Sequence, residues 1–132
     1  MKKLALVAAY LLNGTLFAQN VLNEKNIEFV LDNSNLQVVT LQSDENSSSF
    51  AILIRESVKP HYHKEHTESI MVLDGSAEMQ FGDSTIQVQA GDFLVIPPGT
   101  VHSVQVTSSD RPLKVISVQA PQFNGDDRVF VE

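Results

Sequence analysis

The chain has 132 residues, 42% of them apolar and 19% charged, with 9 basic and 16 acidic side chains and no cysteine. That length holds one domain with a modest core. The formal charge of −7 argues against nucleic acid and anionic membranes, which select clustered lysine and arginine, and the missing cysteine excludes disulfides, thiolate ligands and a cysteine nucleophile.

At the N-terminus, Lys2 and Lys3 precede an apolar run over residues 4–12, and Ala18 is a small residue suited to the last position before a signal-peptidase cut. The run is too short to span a bilayer, which takes about 20 apolar residues. The pattern reads as a secretory signal peptide over residues 1–18, although Leu16 is larger than such cleavage sites favour. The protein is therefore expected in the periplasm or outside the cell, with no membrane attachment after cleavage. The alternative is an amphipathic first helix packed on the domain. Residues 19–35, with Asn20, Asn23 and Asn26, form a polar lead-in, and residues 36–132 form the domain proper.

From Leu36 short strands alternate with turns. Residues 36–41 are one strand, and residues 43–49 are a polar loop. Residues 50–54 are apolar throughout, which predicts burial on both faces under a covering strand or a partner subunit. A homodimer is the expectation that follows. Pro60 marks a bend before His61. Residues 68–73 are a strand closed by Asp74-Gly75, a hairpin signal. Ala77, Met79 and Phe81 share one face of the next strand, and Ile86 and Val88 one face of the strand after it. Residues 93–96 end at Pro97-Pro98-Gly99, His102, Val104 and Val106 alternate beyond it, and residues 113–118 make the last strand. The tail from Gln119 to Arg128 reads as a turn returning over one end of the domain, a simpler reading than Phe123 or Asp126 at a pocket mouth. No helical periodicity appears beyond residue 18, and there is no solenoid repeat. Turns at this spacing predict an all-β sandwich or barrel.

Three of the four histidines lie between positions 61 and 66. His61 and His63, one residue apart on a strand, project to the same face. Imidazole is a common ligand for divalent transition metals, and Glu68 adds an oxygen donor. With His102 they read as a metal site inside a barrel: His61, His63, Glu68 and His102. A lone pair of strand histidines would more often be a surface feature. His66 either replaces Glu68 in a closed four-histidine zinc site or lies solvated at the mouth, the reading preferred here. Glu68 and His66 are the candidate proton carriers. Ile70, Val72, Met79, Phe81, Leu94, Ile96 and Val104 read as barrel filling, some of it lining the cavity.

Two motifs carry a resemblance. His61, His63, Glu68 and Gly75 follow the pattern G-x5-H-x-H-x4-E-x6-G, with Arg55 in place of the first glycine. Gly91, Pro97, Gly99 and His102 follow G-x5-P-x-G-x2-H-x3-N, with Val106 in place of the asparagine. In these residues, over roughly positions 36–120, the chain resembles the cupin superfamily in its small single-domain form. The resemblance implies an all-β, single-domain cupin β-barrel, a jelly-roll-like double-stranded β-helix. It also implies one divalent metal on the four donors named above.

Three imidazoles and a carboxylate leave two adjacent positions open in an octahedral ion, for water, a bidentate ligand or dioxygen. The set suits Mn, Fe, Ni, Co or Zn and does not choose among them. No nucleophile elbow and no phosphate-cradling loop is present, so catalysis would run through the metal. The expected function is a secreted metal-binding cupin that binds or isomerises a small polar ligand such as a sugar or sugar acid. A metal-dependent dioxygenase and a non-catalytic binding or structural barrel are the alternatives.

Overall fold

The computed structural model describes residues 21–132. The expected signal peptide and its cleavage after Ala18 lie outside the described residues.

Period-2 burial runs through nearly every segment and sorts the described residues into ten strands. They are β1 (Leu36–Ser43), β2 (Ser48–Ile54), β3 (Ser57–His63), β4 (Thr67–Asp74), β5 (Ser76–Phe81), β6 (Ser84–Gln89), β7 (Phe93–Ile96), β8 (His102–Val106), β9 (Leu113–Ala120) and β10 (Arg128–Phe130). One five-stranded sheet has the order β1-β2-β9-β4-β7 and the other β10-β3-β8-β5-β6, every pairing antiparallel. The inner faces meet in a core of Ile54, Ile70, Val72, Ala77, Met79, Val88, Ile96, Val104, Leu113 and Val115. The expected all-β double-stranded β-helix is what forms.

Three expectations change. The last strand is β10, which lies beyond the run over 113–118 and pairs with β3 through Arg128 and His63, Val129 and Tyr62, and Phe130 and His61. Three residues are too few to show alternation. The lead-in is also more than polar tail. It holds one 3-10 turn, Glu24–Asn26, capped by the Asn23 side chain, which accepts from the Lys25 amide at 3.0 Å. Further along it, the Gln37 side-chain amide donates to the Val30 carbonyl at 3.0 Å and the Arg55 guanidinium to the Asp32 carbonyl at 2.9 Å. Arg55, the departure from the motif glycine, thus ties the lead-in to the domain.

The third change concerns β2. Phe50, Ile52 and Ile54 pair with Ser117, Val115 and Leu113 on the inner face. Ala51 and Leu53 point the other way, yet they are 0% and 7% exposed. Lys114, the register partner of Leu53, bridges Glu24 at 3.8 Å, which brings the lead-in to that outer side. Both faces of β2 are covered within one chain, so its apolarity requires no second copy. Exposed apolar side chains on the same sheet lie at Leu36 and Val38 of β1 and, on the far edge, at Met71, Phe93 and Val95 of β4 and β7.

Two glycines are used for their backbone. Gly75 has φ +80°, and a Cβ there would sit 2.6 Å from the Pro112 carbonyl oxygen. Gly99 has φ +77° and closes the Pro97-Pro98 turn, where the Thr100 amide donates to the Pro97 carbonyl at 3.2 Å. Its own amide donates to the His63 carbonyl at 2.7 Å, which pins the two motifs together.

Candidate metal centre

Alternation along β3 turns His61 and His63 inward, where both are buried. The register of β3 on β8 sets His102 opposite His61, with ring centroids 4.2 Å apart. Glu68, near the start of β4 in the facing sheet, closes the group. Its Oε2 lies 3.3 Å from His63 Nε2 and 3.2 Å from His102 Nε2. The four residues singled out by spacing are thus brought together in the barrel interior.

Backbone carbonyls orient two of the imidazoles. His61 Nδ1 lies 2.8 Å from the Lys59 carbonyl, and His102 Nδ1 lies 2.9 Å from the Thr100 carbonyl. A carbonyl only accepts, so each Nδ1 carries the hydrogen and each neutral ring keeps its lone pair on Nε2. His102 Nε2 and both nitrogens of His63 are buried without an aligned hydrogen bond, although Glu68 is close. One nitrogen from each of His61, His63 and His102 lies within 4.8 Å of the other two. Buried acceptors converging without donors, beside a carboxylate, are a donor set that fits a divalent cation.

The electrostatics agree. Burial depresses the His61 pKa to about 4, so the ring is neutral at neutral pH. Burial alone would raise the Glu68 pKa, but a proton on the His102 or His63 imidazole facing it, together with the Ser117 hydroxyl bond, outweighs burial and holds the carboxylate well below its ordinary range. The Ser117 hydroxyl donates to Glu68 Oε1 at 2.5 Å, and the Gln119 side-chain amide donates to it at 3.4 Å. Oε1 is thereby occupied, and Oε2 is left facing the imidazoles.

His66 is placed differently from expectation. It is only 4% exposed. Its Nδ1 bonds the Asp127 carboxylate, and its Nε2 lies 2.8 Å from the Gln122 carbonyl. Two acceptors on one ring favour the doubly protonated form. Burial opposes that charge, but the bonds to Asp127 and Gln122 raise the pKa above its ordinary value. Asp127 also accepts from the backbone amides of Lys64, Glu65 and His66. Asp127 and His66 lie near His63 and form a second convergent group with it, but the bonded His66 has no lone pair to offer a metal. It is a clamp between the β3–β4 loop and the C-terminal segment, neither a solvated mouth residue nor a free proton carrier.

A narrow cavity leads up to three of the four residues, His61, Glu68 and His102. Its wall is mostly apolar, with Ile52, Ile54, Ile70, Met79, Val104 and Val115 among the lining residues, and His61, Glu68, His102 and Arg128 supply the polar groups. Sequence reasoning missed Ser117, Gln119, Asp127 and Arg128 as parts of this site. Polar residues at the inward positions of β9, in phase with Leu113 and Val115, were the available signal for the first two. The other two sit on a segment with no pattern of its own.

Residues 50–119 match the model of the cupin domain family, Cupin_2. The chain is a cupin. This cupin is 34% identical over 97 residues to an uncharacterized protein of Aquifex aeolicus, covering 74% of this chain and 78% of that one. It is 36% identical over 66 residues to quercetin 2,3-dioxygenase of Bacillus subtilis, a match covering 50% of this cupin but only 19% of that enzyme. Among solved structures, it is similar to a conserved protein with a double-stranded β-helix domain from Klebsiella pneumoniae, with TM-score 0.66, 23% identity and coverage of 76% and 88% of the two chains. That last likeness speaks for the fold alone.

Proposed function

We propose that this cupin holds one divalent transition metal on His61, His63, Glu68 and His102, and acts on a small oxygen-bearing ligand in the cavity beside it. One observation carries the reading: buried imidazole nitrogens without donors converge with a carboxylate at the head of an apolar cavity. When bound, the ion would supply Lewis acidity and positions for oxygen ligands. The chain's part is to fix the tautomers through the Lys59 and Thr100 carbonyls, hold Glu68 ionised through Ser117, and keep bulk water from the apolar wall.

Dioxygenation is the reaction class this cavity supports best. The wall offers few hydrogen-bonding groups, so a neutral many-hydroxyl sugar would leave its hydroxyls unpaired there. The partial similarity to quercetin 2,3-dioxygenase points the same way. Metal-assisted isomerisation of a sugar acid is the second reading, favoured by the open donor set itself.

The test is elemental mass spectrometry of untagged protein beside the His61→Ala, His102→Ala double variant, followed by oxygen-uptake screening. About one metal per chain, lost in the variant, is the expected result. Equal metal content in both, or none in either, removes the metal reading. Metal without oxygen uptake moves the choice to isomerisation or to a non-catalytic barrel.

Two further parts of this reading rest on other features. Export to the periplasm or beyond the cell rests on the pattern of residues 1–18, and N-terminal sequencing of the recovered protein tests it. Pairing with a second copy rests on the contiguous apolar face of Met71, Phe93 and Val95 on β4 and edge strand β7. A second copy of this face would cover it and the unpaired edge together. Light scattering of wild type against Phe93→Glu decides it, with a monomeric wild type as the contrary result.

A further inference from the structure

The chain has three arginines, and they are used differently. Arg55 donates to the Asp32 carbonyl, and Arg111 bridges Asp74 at 3.3 Å and Asp110 at 3.8 Å. Arg128 has no carboxylate partner and no side-chain hydrogen bond among the described residues, and its Nε is buried without an acceptor. This is an unusual state in a chain with 16 acidic and 9 basic residues. A buried guanidinium nitrogen left unpaired costs free energy that an acceptor would recover.

The position is specific. The register of β10 on β3 sets Arg128 opposite His63 and Phe130 opposite His61, so Arg128 shares the inward face of the two imidazoles. Arg128 lines the cavity together with His61, Glu68 and His102. The Phe123 ring lies 5.9 Å from its guanidinium carbon and 6.0 Å from the His63 ring, which holds the fork in place from one side. The cavity therefore has a fixed cation at its wall, His61, Glu68 and His102 at its head, and apolar side chains between.

We propose that Arg128 is the anion anchor of this pocket and that the ligand is a small carboxylic acid with an apolar body. Its carboxylate takes the guanidinium fork, which matches two oxygens in one plane. Its body lies against Ile52, Ile70 and Val104. The remainder of the ligand then faces His61, Glu68 and His102. This inference rests on the cavity being the ligand site, as proposed above, and it names the ligand's chemical class.

The experiment uses benzoate and its neutral isostere benzamide as probes. Binding is measured by calorimetry on the full chain, both metal-free and loaded with Zn. Wild type is expected to bind benzoate at least about tenfold more tightly than benzamide in the metal-free protein, where no metal can take the carboxylate. Arg128→Gln should abolish that preference. Arg128→Lys, which keeps the charge but not the fork, should retain part of it. Thermal melts of each variant report whether the fold survives, and if Arg128→Gln does not fold, the Arg128→Lys comparison decides. Equal binding of the two probes, no benzoate binding, or an unchanged preference in Arg128→Gln overturns the inference. A preference that depends on Arg128 in a protein that takes up no metal would remove the metal reading and leave this one standing.

Discussion

The Ser117 hydroxyl on β9 donates to Glu68 Oε1 on β4 at 2.5 Å, across two strands that neighbour each other in the sheet but stand 49 positions apart in the chain. This bond turns the carboxylate so that Oε2 faces His63 and His102. Ser117→Ala leaves only the longer Gln119 contact on Oε1. Outer groups of this kind change metal affinity by roughly 10- to 100-fold. Competition for Zn against a chromophoric chelator should show Ser117→Ala at least about tenfold weaker than wild type. Unchanged affinity would mean that Glu68 needs no support from β9.

Gly75 and Gly91 both have positive φ, but only one is crowded. A Cβ at Gly75 meets the Pro112 oxygen at 2.6 Å and the Leu113 Cα at 2.9 Å, while nothing lies within 4 Å of one at Gly91. Gly91→Ala should cost about 1 kcal/mol, the ordinary left-handed penalty. Gly75→Ala should exceed about 2 kcal/mol, because backbone has to move as well. Urea unfolding of the two variants compares them directly, and similar losses would contradict the packing argument.

Asp127 accepts three backbone amides and the His66 ring. Asp127→Ala strands the buried His66 amide and ring donors, at about 1–3 kcal/mol for each one left unsatisfied, and frees the part-buried amides of Lys64 and Glu65. A total loss of about 3 kcal/mol in chemical denaturation is expected, with Asp127→Asn losing less because it keeps an acceptor. Hydrogen exchange should show the amides of residues 64–66 becoming fast. If they stay protected in Asp127→Ala, the clamp is not what holds that loop.

Metal removal should weaken the fold without abolishing it, since the core of Val72, Met79, Ile96 and Leu113 does not include the donors. A site-specific ion at about a hundred times its Kd adds about 2.7 kcal/mol. The thermal midpoint should therefore fall when a chelator is added to wild type and stay put in the His61→Ala, His102→Ala variant. Equal shifts in both would mean that the chelator acts elsewhere.

The sequence made some of this legible and hid the rest for physical reasons. Period-2 placement is local, so His61, His63 and the turn at Gly99 could be read from spacing. The role of His66 could not, because the partner that buries it lies 61 positions away. A histidine on a short polar loop looks solvated until Asp127 closes over it. The second face of β2 was foreseen as covered, but the lead-in that reaches it has no strand pattern to announce it. Arg128 and Phe130 belong to a strand of three residues, shorter than any window in which alternation can be recognised.

The sheet order β1-β2-β9-β4-β7 has a consequence for how the molecule is made. A strand late in the chain has to slot between two that precede it by dozens of residues, so the sheet cannot grow by adding neighbours in order of synthesis. Pairings so distant in sequence slow the search for the native topology. The same late strand brings Ser117 and Gln119 to Glu68, so the donor set reaches its final shape only when that insertion is complete. An ion is thus expected to bind after the rate-limiting step. Stopped-flow refolding should be nearly indifferent to Zn, while unfolding slows as Zn is raised.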